Sequence, residues 1–256
     1  MIYVTGDTHG NIIGNLWPKT NKLNKNDILI ICGDCGIAWP HSDKNTMMSL
    51  NFLQNAIFKT IILFGNHDNY DFAETLPIVG NTSNGFMREM VFQNEVYDNI
   101  FIVDFPQIIK IDGNKCLFIP GADSHDIENL AYPFEKAKIY DFQKDNKLYR
   151  VVHESWWPQE SINIKYAKSL IDNSDKDFDY VFTHDCPANL NKIFKPFGEI
   201  ARFKPTEGQL FLQDIADNCN YKHWFHGHMH SRLDYNNNKN HLVYHEIPNV
   251  DTLEEI

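Results

Sequence analysis

Residues 28–34, Ile-Leu-Ile-Ile-Cys-Gly-Asp, read as a buried strand that stops at a glycine and a carboxylate. The layout recurs along the chain. Tyr3-Val4 leads to Asp7-Thr8-His9, residues 61–64 to Gly65-Asn66-His67-Asp68, residues 180–182 to Thr183-His184, and residues 223–226 to Gly227-His228-Met229-His230. Strand ends are where α/β folds place their chemistry. Five polar loops are therefore expected along one edge of the molecule.

Between these strands the apolar spacing predicts helices over 11–23, 43–56, 160–171 and 207–217, the second capped by Asp43 ahead of Met47, Met48, Phe52 and Leu53. Alternating strand and helix patterns favour a parallel sheet covered by helices. From 90 to 121 the pattern changes to short strands, 90–92, 100–104, 108–111 and 116–119, which read as antiparallel. Asp112-Gly113 signals a hairpin, and Asn114-Lys115 after it suggests a loop longer than two residues. Residues 236–240 read as a second hairpin loop, between 232–235 and 241–247. Two sheets with helices outside are the expected fold class, α/β.

The 256 residues, 43% hydrophobic, suffice for one substantial core, and a single domain over 1–256 is expected. A net charge of -11 disfavours stable binding to duplex nucleic acid, which usually needs a basic face. No run approaches the roughly 18 to 20 apolar residues of a membrane span, and no secretory pattern opens the chain. Cys32, Cys35, Cys116, Cys186 and Cys219 are odd in number and irregularly spaced, which fits reduced thiols in the cytoplasm.

Residues two apart on an extended segment face the same way, so Asp7 with His9, and His228 with His230, form paired donors. Asp34, Asn66 and His184 bring the set to seven oxygen or nitrogen donors, enough for two metal ions if one carboxylate bridges them. Two metals about 3.5–4 Å apart clamp the attacking and leaving oxygens of a phosphoryl displacement. Gly6, Gly33, Gly65 and Gly227 allow the close backbone approach such loops need.

Taken in order over residues 7–230, the blocks D-x-H, GD, GNHD, TH and GHxH resemble the calcineurin-like metallophosphoesterase superfamily. The resemblance implies a four-layer αββα sandwich of two stacked mixed β-sheets flanked by helices. It implies two divalent metal ions, one held by Asp7, His9, Asp34 and His230, the other by Asp34, Asn66, His184 and His228, with Asp34 as the bridge. A solvent hydroxide between the metals is the implied nucleophile. His67 matches the non-ligand histidine that protonates the leaving oxygen or stabilises the transferring phosphoryl group, and Asp68 is the residue expected to orient its ring. Residues 1–10, Trp39, 121–126 and 155–160 are similar to a group of small stand-alone bacterial and phage members. Such a donor set accepts manganese, iron, cobalt, nickel or zinc; manganese is expected to support activity.

Other residues have blander readings. His41, His153, His223, His241 and His245 read as structural, and His226 as packing beneath the site. The Cys32–Cys35 spacing is explained by the intervening Gly33-Asp34 rather than by thiol chemistry, and Trp156 and Trp157 read as core packing. Residues 123–126 read equally as a substrate loop or a solvated turn. Arg88, Arg150, Arg202 and Arg232 are candidates for phosphate contact, and Lys192, Lys195, Arg202 and Lys204 read as solvated surface.

The expected activity is hydrolysis of a phosphomonoester or small phosphodiester, a nucleotide among the candidates. Protein serine/threonine phosphatases resemble the chain in D-x-H-G and GNH, but typically carry an arginine after GD and another before GNH. Here residues 35–39 are Cys-Gly-Ile-Ala-Trp and Phe64 precedes Gly65. Repair nucleases share the metal blocks, and the net charge argues against them. A catalytically silent scaffold resembling this superfamily lacks site histidines, all of which are present here.

Overall fold

Strands that are apolar at every position must be covered on both faces, and the chain meets that need with two sheets. A computed structural model describes residues 1–39, 42–81, 84–124, 127–193 and 204–256. The first sheet and its helices come from β1 (Ile2–Thr5), α1 (Ile12–Leu16), β2 (Ile28–Cys32), α2 (Asp43–Gln54), β3 (Lys59–Leu63), α3 (Tyr70–Glu74), β4 (Ile78–Asn81), β5 (Gly85–Phe92) and β6 (Glu95–Val103). A hairpin, β7 (Gln107–Ile111) and β8 (Asn114–Ile119), opens the second half. An excursion follows, β9 (Asn129–Ala131), α4 (Lys136–Lys144) and β10 (Tyr149–Val151). The chain then runs through α5 (Ile164–Asp172), β11 (Asp177–Thr183), α6 (Leu190–Ile193), α7 (Glu207–Asn218), β12 (Asn220–His226), β13 (Leu233–Tyr235) and β14 (Asn240–Leu242).

The strand orders are β1-β2-β3-β6-β5-β4 and β13-β14-β12-β11-β8-β7. In each sheet four neighbouring strands are parallel and the outer ones antiparallel. Side-chain alternation sorts the apolar residues into layers. Val4, Ile30, Cys32, Ile61 and Leu63 meet Phe118, Tyr180, Phe182 and Phe225 between the sheets. The opposite faces, Leu29, Ile31 and Ile62 on one sheet and Leu117, Val181 and Trp224 on the other, pack against helical residues such as Leu16, Leu50 and Leu53, or Leu212 and Ile215. The result is the expected four-layer αββα sandwich. No helix among the described residues is long and apolar enough to cross a membrane.

Several local expectations shift. The helix expected over 11–23 breaks after Leu16, because Pro18 has no N–H to continue it, and a short 3-10 turn covers Lys19–Lys22. Asp43 lies inside the first turn of α2, with Ser42 before it. The helix expected from Glu160 starts at Ile164, where the Asn163 side chain accepts from the Tyr166 N–H at 3.1 Å. The β7–β8 loop is two residues after all: Ile111 pairs with Asn114, and φ is 50° at Asp112 and 84° at Gly113, the double-positive geometry of a tight hairpin turn. The stretch read as antiparallel is divided, since β6 pairs with β3 in the first sheet and β8 with β11 in the second, both in parallel. Asn236, Asn237 and Asn238 make the other hairpin loop, with φ of 54–58°, which asparagine tolerates.

Candidate metal centre

Because β1, β2, β3, β11 and β12 run parallel within their sheets, the five loops leave from matching strand ends. Backbone bonds join neighbouring loops within each sheet: the Asp7 N–H donates to Gly33 O, the His9 N–H to Asp34 O, and the Gly227 N–H to His184 O, at 2.8–3.1 Å. Asp7, His9, Asp34, His228 and His230 adopt left-handed conformations, with φ from 45° to 71°. Each such residue costs about 1–3 kcal/mol unless surrounding structure enforces it. Here the strained backbone aims donors inward.

Two donor groups result, Asp7, His9, Asp34 and His230 in one and Asp34, His184 and His228 in the other. In the first, the Nε2 atoms of His9 and His230 are 2.8 Å apart, His230 Nε2 lies 3.6 Å from Asp7 Oδ1, and His9 Nε2 lies 3.9 Å from Asp34 Oδ2. In the second, His184 Nε2 is 3.3 Å from Asp34 Oδ1 and 3.1 Å from Asn66 Oδ1. Donors each about 2.1 Å from one ion sit about 3 Å apart. The seven sequence-derived donors are thus brought together, and the two oxygens of Asp34 face different groups.

Asp7, Asp34, Asn66 and His184 are buried, whereas the side chains of His9 and His230 are 37% and 50% exposed. Burial pushes Asp7 well above the ordinary carboxylate range, against the pull of His184. Burial works the same way on Asp34, but the charge and hydrogen bond of His184 outweigh it and hold Asp34 below that range. His184, despite its own burial, is pushed up to about 10 by Asp34. Burial lowers His9 to about 4, leaving its imidazole neutral and able to ligate. The ion-pair partners of Asp7 and Asp34 among the described residues are histidines. Buried carboxylates facing imidazoles, with no lysine or arginine paired to them among the described residues, are a donor set that divalent cations fit.

The surrounding contacts hold this set. His184 Nδ1 lies 2.9 Å from Cys32 O, so its Nε2 is the atom turned to the donors. The His228 N–H donates to both oxygens of Asp7 at 3.0 and 3.1 Å, and the His67 N–H to Asp34 Oδ1 at 2.8 Å. His67 packs edge-on to His9, with ring centroids 5.6 Å apart, and its carbonyl accepts from the Trp39 indole at 2.6 Å. The carboxylate of Asp68 is fully buried and accepts from the Gly65 and Gly36 N–H groups at 2.8 and 3.0 Å. Burial, then Asp34, raises Asp68 to about 7.

Ser124 and Glu160 were not singled out as site residues by the sequence. Asn66 Nδ2 donates to Ser124 Oγ at 2.9 Å, and the Ser124 N–H donates to buried Glu160 at 3.1 Å. This serine fixes which end of the Asn66 amide faces His184. Ser124→Ala is expected to weaken binding of one cation about 10- to 100-fold, with Ser124→Thr close to wild type, as read by metal titration of chelator-stripped protein. The polar run 123–126 hinted at such a role without identifying the partner.

The remaining candidates lie elsewhere or are otherwise engaged. Arg88 bonds Asp104 and the Leu76 carbonyl, Arg232 pairs with Glu255, and Arg150 is on β10. His226 is buried with its Nε2 2.8 Å from Tyr235 Oη, while His223 and His241 bond each other, His153 bonds Asp71, and His245 bonds Asn15. Trp157 is fully buried, edge-on to Trp39, and Trp156 is half-buried. Cys32 and Cys35 are buried free thiols, both pushed up by burial. Lys192 and Lys204 are exposed, and His41, His125, Asp126, Lys195 and Arg202 lie outside the described residues.

The sequence profile of the calcineurin-like phosphoesterases matches residues 1–232. No curated protein matches the chain. Among solved structures, the phosphopantetheinyl hydrolase (PptH) of Mycobacterium tuberculosis is similar at a TM-score of 0.50 and 17% identity, over 95% of this chain and 89% of that one. At this identity the likeness bears on the fold, two mixed sheets with flanking helices. AQ665 of Aquifex aeolicus, a protein of unknown function, aligns at a TM-score of 0.28 and 22% identity over 66% of this chain and 86% of that one.

Proposed function

The chain belongs to the calcineurin-like phosphoesterase family, and from that premise we propose that it hydrolyses a phosphomonoester or small phosphodiester at a centre of two divalent cations. The observation that carries the reading is Asp34, whose Oδ2 faces His9 while its Oδ1 faces His184. Asp7, His9, Asp34 and His230 would hold one cation, and Asp34, Asn66, His184 and His228 the other. Bound there, such cations supply Lewis-acid stabilisation of phosphoryl charge and an acidified water.

The chain supplies geometry and a proton. Its backbone fixed at Asp34 and at Trp39, His67 stands beside the first donor group and protonates the leaving oxygen. Asp68 acts through the backbone, its carboxylate tying Gly65 to Gly36, so that the loop bearing Asn66 and His67 keeps its shape. His67→Ala is expected to retain both metals and lose about 10²- to 10⁴-fold in turnover of esters with poor leaving groups. Undiminished turnover would remove that role.

Manganese is the proposed activating metal, and a small phosphorylated compound in the cytoplasm the proposed substrate. The direct test strips the protein with chelator, restores manganese, and compares nitrophenyl phosphate with bis(nitrophenyl) phosphate. Metal-restored turnover supports the reading. Absence of turnover on both, with two metals bound, overturns it.

A further inference from the structure

Beside the first donor group lies a cleft of about 760 Å³, a size suited to a small organic ligand. His9 and His67 form one wall of it, and it extends past Asn11, Ser42, Asn45 and Ser49, with Trp39 and Met48 as apolar surface. Asn11 and Asn45 are exposed, and Met48 is 52% exposed, so polar amides and an apolar side chain face the same opening. No Lys, Arg, Asp or Glu lines it among the described residues.

We propose that this cleft is the leaving-group subsite and that it selects an uncharged alcohol carrying both hydrogen-bonding groups and an apolar portion. The inference rests on the phosphoesterase reading above. In the reaction the oxygen of water bonds to phosphorus, and the bond from phosphorus to the ester oxygen breaks with its electron pair going to that oxygen. The oxygen takes a proton from His67, the alcohol departs, and the proton released by the attacking water restores the balance. The departing oxygen must therefore come within reach of His67, and the group attached to it extends along the wall that His67 forms. Amides and hydroxyls there can satisfy neutral donors and acceptors. A carboxylate or ammonium entering the cleft would lose hydration and find no opposite charge.

The test measures phosphate-ester cleavage by manganese-loaded protein on phenyl phosphate and 4-carboxyphenyl phosphate, and on their methyl diesters. Each pair differs by one carboxylate. Wild type is expected to favour the uncharged ester about tenfold or more in kcat/KM, mainly through KM. Asn45→Lys, outside the metal-donor and proton-donor residues, is expected to reverse that preference at unchanged metal content. Equal kcat/KM in wild type, or a ratio unmoved by Asn45→Lys, would overturn the subsite while metal-dependent cleavage stood. Absence of metal-dependent cleavage of all four esters would overturn the phosphoesterase reading, and this inference with it.

Discussion

Asp34→Asn is expected to reduce phosphate-ester turnover by about 10³-fold or more, equivalent to about 4 kcal/mol of barrier, and to lower the metal content below two ions per chain. Asp34 is 1% exposed and offers one oxygen to each donor group. The amide removes the shared negative charge and presents an NH₂ to one of the two groups. The substitution is nearly isosteric, and an asparagine Oδ1 can still accept the His67 N–H that Asp34 Oδ1 accepts at 2.8 Å. Folding is therefore expected to survive, so metal analysis and thermal unfolding on the same sample separate a lost bridge from a lost fold. Wild-type turnover in this variant would eliminate the shared-carboxylate arrangement.

Gly33→Ala is expected to damage both stability and the centre. Gly33 sits at φ +86°, and a Cβ there would collide with the ring of His184. His184 is fully buried and held at Cys32 O and Asp34, so the ring cannot step aside without leaving its donor position. The left-handed backbone costs an L-residue about 1–2 kcal/mol, and overpacking about 1–3 kcal/mol more. A fall in Tm of roughly 10 °C should accompany weaker metal binding and lost turnover. Gly113→Ala separates the two costs. Its φ is +84°, but nothing lies within 4 Å of the added Cβ, so it should lose only the backbone contribution and keep full turnover. Equal losses in the two variants would show that the His184 contact is not what demands Gly33.

Much of this site is legible without coordinates because its parts are local. An apolar run that halts at Gly33-Asp34 or Gly65-Asn66 marks a buried strand meeting a polar loop, and the donor chemistry is carried by residue type. Less legible is how the short strands divide. The alternation over 90–119 reads alike whether a strand pairs within its own hairpin or also with a distant parallel neighbour. Only the pairing of β6 with β3, and of β8 with β11, sends consecutive segments to different sheets.

The residue types that end the buried strands, and their order, are written in the chain, and with them the phosphoesterase family. Tertiary structure alone decided that β1, β2, β3, β11 and β12 bring those ends together, that Asp34 presents an oxygen to each donor group, and that Ser124 turns the Asn66 amide. It also decided that five donors stand at positive φ. The difference is one of range: propensity and periodicity act over a few residues. Holding a strained, buried carboxylate at 3.3 Å from a histidine 150 positions away in the chain depends on backbone bonds and packing that exist only once both sheets are assembled.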